Sequence, residues 1–410
     1  MSQISLNDSL TLPCGAVLKN RIAKSAMSEN MANQDYTPNE KFQNLYHTWA
    51  TGGAGLLITG NVMCDKRYLG EPKNVVIENG FLGIDELKKW AQSGIINQTH
   101  LWMQINHPGK QSPKFLTKEP VSASAIALKS PLDKMFNPPR ALDEKEIYDI
   151  IERFTFAAIT AKKAGFTGVQ IHGAHGYLIN QFLSPLHNSR QDQWGGSLTN
   201  RMRLVLEIYK SMRAALGGQF PIGIKLNSAD FQKGGFTEEE SLEVVKVLAA
   251  EKIDLIEISG GSYEAPEMMG SKKESTIKRE AYFLEYCEKI RKEVTVPLML
   301  TGGFRSREGM ESALKSNACD VVGLARSVAL DPNFPNEILR GQNVLSKVKQ
   351  LTTGIKAIDK AMPLEIIWYA DQIHRLGKMK NTNPNAHPLL SVVKTLFASG
   401  LEGLKRVRAK

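Results

Sequence analysis

His172, His175 and Tyr177 place two imidazoles and a phenol within six residues of one another. They follow an apolar run, Gly168 to Ile171, that reads as a buried strand, so all three leave that strand at its C-terminal end. Two ring N–H groups can converge on one oxygen. A phenol, with an ordinary pKa of about 10, still carries its proton at neutral pH. The set suits polarising a carbonyl and protonating the carbon skeleton attached to it. Two plainer readings stand beside this one. A histidine at a strand end is often just packed and hydrogen-bonded, and a His-x-x-His pair can hold a metal. Metal-dependent barrel hydrolases, however, typically place His-x-His on the first strand, where this chain has Ser25-Ala26-Met27-Ser28. No nearby Asp or Glu completes a ligand triad, so no metal is expected.

Other polar residues interrupt apolar strands. Lys225 sits at the end of Gly223–Asn227 and must either find a counter-charge or reach a cavity, because unpaired burial is costly. A structural ion pair is one outcome, and contact with an anionic cofactor ring is the other. Gln104 could satisfy a backbone group or, with its paired donor and acceptor, read the amide edge of a ring. Late in the chain, Gly302 and Gly303 end one strand, and Ala325-Arg326 ends the next. Small residues let backbone N–H groups approach an anion, and a guanidinium fork suits phosphate. Alternatively, the two glycines merely make a tight turn.

The elements that would carry these residues repeat. Strands are expected near Arg21–Ala26, Ala54–Thr59, His100–Ile105, Gly168–His172, Pro221–Leu226, Asp254–Ser259, Pro297–Thr301 and Asp320–Leu324. Helical segments alternate with them. Capping boxes open two of these at Asp143/Glu146 and Thr237/Glu240, Gly165 closes one, and Ser306 caps another. Eight strand–helix units predict a closed α/β barrel, the (β/α)8 or TIM fold, whose chemistry sits at the strands' C-terminal ends. A hairpin over Thr11–Leu18 should cover the opposite end. The Pro- and Ser-rich stretch Asn106–Leu142 reads as a long loop after the third strand, passing over the mouth. Residues 1–340 would form the barrel and 341–410 a basic, mostly helical C-terminal extension interrupted near Asn381–Pro388.

Charge supports that division. The net charge is +10, yet Gly341 to Lys410 alone holds 12 Lys+Arg against 4 Asp+Glu, which leaves the barrel nearly neutral. A basic tail of this kind is ordinarily a solvated face, and contact with a partner subunit or an anionic cofactor is the minority reading. No aromatic-plus-basic nucleic-acid module is visible. Cys14, Cys64, Cys287 and Cys319 form no C-x-x-C pair, which argues against cysteine-bound zinc or iron–sulfur clusters. The longest apolar runs are too short to span a bilayer and no secretory signal is visible, so a cytoplasmic protein without membrane contact is expected.

The most specific string is Asn188-x-Arg190-x-Asp192-x-Trp194-Gly-Gly-Ser-Leu-x-Asn200-Arg201, which continues the histidine run. Together with Asn20-Arg21, Gln104, His107-Pro-Gly-Lys110 and Thr301-Gly-Gly-Phe304 in the same order, it resembles the old yellow enzyme family of FMN-dependent ene-reductases. The resemblance runs from about Leu10 to Pro335. It implies bound FMN, with NADH or NADPH as reductant and an α,β-unsaturated carbonyl or nitro compound as oxidant. His172 and His175 would hold the substrate oxygen, hydride would pass from flavin N5, and Tyr177 would give the proton. Gln104 and Lys225 would meet the pyrimidine edge of the flavin, with Lys225 beside N1. Gly302, Gly303, Ala325 and Arg326 would hold the phosphate, Ala26, Met27 and Ser28 would line the ring, and Asn61 would lie near it. Arg190, Asp192, Trp194 and Arg201 would brace the loop.

Three positions depart from the family's pattern. Ser28 stands for Thr or Cys, Lys225 for Arg, and Ala325 for Gly. The Lys225 change replaces a bidentate fork with a point charge. Larger relatives append flavodoxin-like and FAD-binding portions and a four-cysteine cluster, which this sequence lacks, so electrons are expected to come directly from the nicotinamide. Other readings remain open here: FMN-dependent dehydrogenation or demethylation of a small molecule, a cofactor-free phosphate-binding barrel, and assembly into a homo-oligomer.

Overall fold

The computed structural model describes residues 4–266, 280–361 and 363–395. Eight parallel strands run Ile22–Lys24, Leu56–Ile58, His100–Asn106, Gly168–Gly173, Ile222–Asn227, Leu255–Ser259, Leu298–Thr301 and Val321–Leu324, each at an expected place. Neighbours pair in sequence order. The eighth strand pairs with the first, and the third pairs with both the second and the fourth, which closes the ring.

Strand alternation explains how one sequence builds both a core and a site. Alternate side chains point into and out of the ring. The outward set, including Leu101, Met103, Val169, Ile171, Ile222, Ile224, Ile256, Ile258, Leu298 and Leu300, packs under the helices as one large core. The inward set changes character along the axis. Ala23, Leu56, Trp102, Leu255, Met299 and Val321 form an apolar plug at the lower end. The antiparallel hairpin Leu10–Thr11/Val17–Leu18 seals that end with Leu12 and Leu18. One step higher, on strands three to seven and just past strand one, the polar positions are Ser25, Gln104, Gln170, Lys225, Glu257 and Thr301. Filling the bottom with hydrocarbon and leaving the top polar confines chemistry to the upper face.

The helix ends form as their residue types predict. Asp143 and Glu146 make reciprocal capping bonds at helix Glu144–Ala164, which Gly165 ends in a left-handed conformation at φ 94°. Thr237 and Glu240 do the same for Glu238–Ala250, and Ser306 accepts from Gly309 N at the start of Arg307–Lys315. The long loop follows the third strand as expected. None of its residues lines the central cavity. Phe136 packs against the cavity-wall residue Tyr263, and the loop also buttresses the histidine loop. Gln111 Nε2 donates to the His175 carbonyl at 2.9 Å, and Lys110 Nζ reaches Ile126 O at 2.9 Å and His187 Nδ1 at 2.8 Å.

Beyond the barrel, helix Leu364–Gly377 docks against helix Glu40–Thr51 and buries Trp368 and Ile373. His374 Nε2 lies 2.6 Å from Glu29 O. Among the described residues no helix is long and apolar enough to cross a membrane.

Candidate active site

A cavity of about 280 Å³ opens at the upper face of the barrel. Its wall includes every residue expected from the sequence to meet cofactor or substrate: Ala26, Met27, Ser28, Asn61, Gln104, His172, His175, Tyr177, Lys225, Gly302, Gly303, Ala325 and Arg326. These come from the ends of strands one to five, seven and eight and from the turns that follow them.

The imidazoles and the phenol form a tight group. The His172 ring centroid lies 5.1 Å from that of His175 and 4.9 Å from that of Tyr177, both edge to face. Ala174 N donates to His172 Nδ1 at 3.3 Å, which leaves the His172 proton on Nε2. His175 is held in the left-handed region at φ 62°, unusual for a side chain larger than glycine, and its surroundings fix it there. Its N–H donates to Asn227 Oδ1 at 3.1 Å, its carbonyl accepts from Gln111, and its Nε2 lies 2.7 Å from Ser259 Oγ. Burial pushes both imidazoles well below their usual pKa. For His172 the neighbouring His175 and then Lys225 add to this, and for His175 Lys225 does. Both rings are therefore neutral donors at pH 7. Burial, then Tyr263 and Glu71, push the Tyr177 phenol well above 10, so it keeps its proton.

Below this group runs a continuous polar belt. Parallel register sets His172 beside Lys225, Lys225 beside Glu257, and Gln170 beside Gln104. Gln104 Nε2 donates to Gln170 Oε1 and Gln170 Nε2 to Glu257 Oε2, both at 2.7 Å. Glu257 Oε1 takes Lys225 Nζ at 2.9 Å and Thr301 Oγ1 at 2.7 Å, and Thr301 meets Ser25 Oγ at 2.8 Å. Of the two outcomes open for Lys225, the counter-charge is present and the lysine also reaches the cavity. Gln104 bonds a side chain rather than a backbone group.

At the opposite end of the cavity, Gly302 (φ 126°) and Gly303 (φ 89°) adopt conformations that favour glycine. A Cβ on Gly303 would lie 2.8 Å from the Tyr282 ring, so the turn and its backbone donors can stand this close only without a side chain. Arg326 has a partner that sequence reasoning missed. Its Nη1 lies 2.6 Å from Glu365 Oε2, on the C-terminal helix. Ile366, Tyr369, Ala370 and Ile373 of that helix also line the cavity.

Other lining residues escaped the sequence reading. Tyr263 Oη lies 2.9 Å from Tyr177 Oη. Glu71, like the expected Asn61, presents a buried oxygen without a hydrogen-bond partner among the described residues, and burial raises the Glu71 carboxyl above its ordinary pKa. Glu257 did carry a signal, a charge in the middle of Leu255–Ser259, the same cue that marked Lys225. Among the described residues no group of three or more His, Cys, Asp or Glu could hold a metal ion.

Taken together, the cavity offers an amide and an ammonium on one wall, paired neutral N–H donors above them, and a glycine turn with a guanidinium at the far end. Those donors fit a planar heterocycle bearing a phosphate, so the residues present suit FMN.

Comparison with known proteins identifies the family. Residues 13–344 match the family described as NADH:flavin oxidoreductase / NADH oxidase. The NADH-dependent flavin oxidoreductase iccE of Talaromyces variabilis is 35% identical over 413 residues, covering 92% of this chain and 99% of that protein. A 2-naphthoyl-CoA reductase, solved with 2-naphthoyl-CoA, superposes with a TM-score of 0.77 at 26% identity over 84% of this chain. This chain spans 54% of that reductase. The old yellow enzyme homologue of Zymomonas mobilis shares the fold, with a TM-score of 0.71 at 24% identity over 84% of this chain and 95% of the homologue. The chain belongs to the NADH:flavin oxidoreductase / NADH oxidase family, the old yellow enzymes, and is an oxidoreductase that uses FMN and a nicotinamide reductant.

Proposed function

We propose that this enzyme uses NADH or NADPH to reduce carbon–carbon double bonds conjugated to a carbonyl or nitro group. The observation that carries the reading is the pair of neutral imidazoles facing the cavity with a protonated phenol beside them. FMN, when bound, supplies the two electrons it has taken from the nicotinamide. Gln104 and Lys225 would hold its ring, with Ala26, Met27, Ser28 and Asn61 alongside. Gly302, Gly303, Ala325 and Arg326 would hold its phosphate.

The chain's own residues then have separable tasks. His172 Nε2–H and a ring N–H of His175 donate to the carbonyl or nitro oxygen of the substrate. Electron density gathers on that oxygen as the double bond is reduced, and fixed donors at such a position are each worth roughly 10²–10³ in rate. Tyr177 protonates the α-carbon, the carbon next to the activating group. Its raised pKa keeps the proton in place until the carbanion-like carbon takes it. The buttressed backbone of His175 keeps the two donors convergent before substrate arrives, so little reorganisation is needed.

Anaerobic stopped-flow of the holoenzyme separates the two half-reactions. We expect NADH or NADPH to bleach the flavin and 2-cyclohexenone or a nitroalkene to restore its colour. Tyr177→Phe should slow the second step on the order of 10²-fold, typical of a lost general acid, and leave the first unchanged. Equal slowing of both steps would remove Tyr177 from the proposed role, and failure of any activated alkene to reoxidise the wild-type flavin would remove the substrate class.

A further inference from the structure

The belt around the barrel contains a charge balance that the substrate chemistry does not require. Lys225 Nζ lies 2.9 Å from Glu257 Oε1, with the two side chains 5% and 0% exposed. Among the described residues, the side chains bonded to Glu257 are Lys225, Thr301 and Gln170, all donors to its two oxygens. The geometry therefore fixes Glu257 on the sixth strand, and Glu257 in turn fixes the lysine on the fifth.

We propose that Glu257 sets the redox potential of the bound flavin by neutralising and positioning Lys225. The proposal rests on the reading that Lys225 faces the flavin ring. Two-electron reduction with uptake of one proton leaves the ring with one more negative charge. An unpaired ammonium in this buried place would stabilise that charge strongly, because screening by water is weak here. The ring would then hold its electrons rather than pass them to an acceptor. A carboxylate in contact with the ammonium reduces the pair to a dipole, and most of that bias disappears. Glu257 acts through Lys225 and is thus a positioning residue rather than a catalytic one. A merely structural ion pair would affect folding and leave the potential where it is.

The test is the midpoint potential of the FMN-loaded protein, measured by dye-coupled titration in wild type, Lys225→Gln, Glu257→Gln and the double variant. Lys225→Gln should favour oxidised flavin tenfold or more, a fall of about 30 mV for a two-electron couple. Glu257→Gln, which leaves the lysine unopposed, should raise the potential by at least the same amount. The double variant should return to within tenfold of wild type. If Lys225→Gln lowers the potential while Glu257→Gln leaves it unchanged or lowers it, this proposal is overturned and the placement of Lys225 stands. If neither charge change moves the potential, Lys225 does not face the ring, and both fall. Should Glu257→Gln fail to fold, the double variant decides alongside Lys225→Gln. A restored potential supports the proposal, and one as low as that of Lys225→Gln overturns it.

Discussion

His172, His175 and Tyr177 act as donors because their surroundings hold each in one protonation state. Burial lowers the imidazole pKa values well below 6.5 and raises the phenol well above 10. The sign follows directly. Lowering the pH to 6 does not charge the imidazoles, and raising it to 9 does not ionise the phenol. Reoxidation of the flavin by an alkene should therefore vary less than about threefold from pH 6 to 9. A sigmoidal change with an apparent pKa inside that window, abolished by Tyr177→Phe, would show that the phenol titrates and contradict the assignment. These three residues were legible because their types and spacing are rare together. Lys225 and Glu257 carry the same cue, a charge inside an apolar strand, yet pairing across strands depends on register and was visible only once the barrel closed. Tyr263 and Glu71 sit in loops where nothing periodic fixes a side chain's direction.

Helix Leu364–Gly377 brings Glu365 to Arg326 at 2.6 Å and makes one wall of the cavity. A carboxylate beside the guanidinium competes with a phosphate for it. Glu365→Gln should thus tighten FMN binding by about fivefold, on the order of 1 kcal/mol for a partly exposed charge, and leave riboflavin binding unchanged. Titration of the apoprotein with each flavin checks this, and weaker FMN binding in the variant would mean that Glu365 orients Arg326 for phosphate instead. Helix ends and strands were readable because caps and apolar periodicity are local signals, as at Asp143/Glu146 and Gly165. The docking of the last helix was not, since its apolar face could have met any exposed groove. What it meets is the helix Glu40–Thr51.

Across the whole molecule, the inward face of the barrel changes from hydrocarbon at the hairpin end to a polar belt at the other. That gradient explains why a single closed ring can be both stable and reactive. The lower plug holds the strands together, and the upper belt carries polar side chains that can meet a ligand. Eight alternating units made the ring predictable from sequence. The contacts of Asn106–Leu142 were not, because Pro and Ser mark a loop without saying what it touches, and it braces the histidine loop through Gln111 and meets Tyr263 through Phe136. The chemistry proposed for this barrel requires a flavin lying on that belt. Diffraction from crystals of the FMN-loaded protein tests this most directly. We predict Gln104 and Lys225 within about 3.5 Å of polar atoms of the ring, with the phosphate at Gly302, Gly303 and Arg326. A flavin bound elsewhere, or a ring with neither Gln104 nor Lys225 in hydrogen-bond reach, would contradict it.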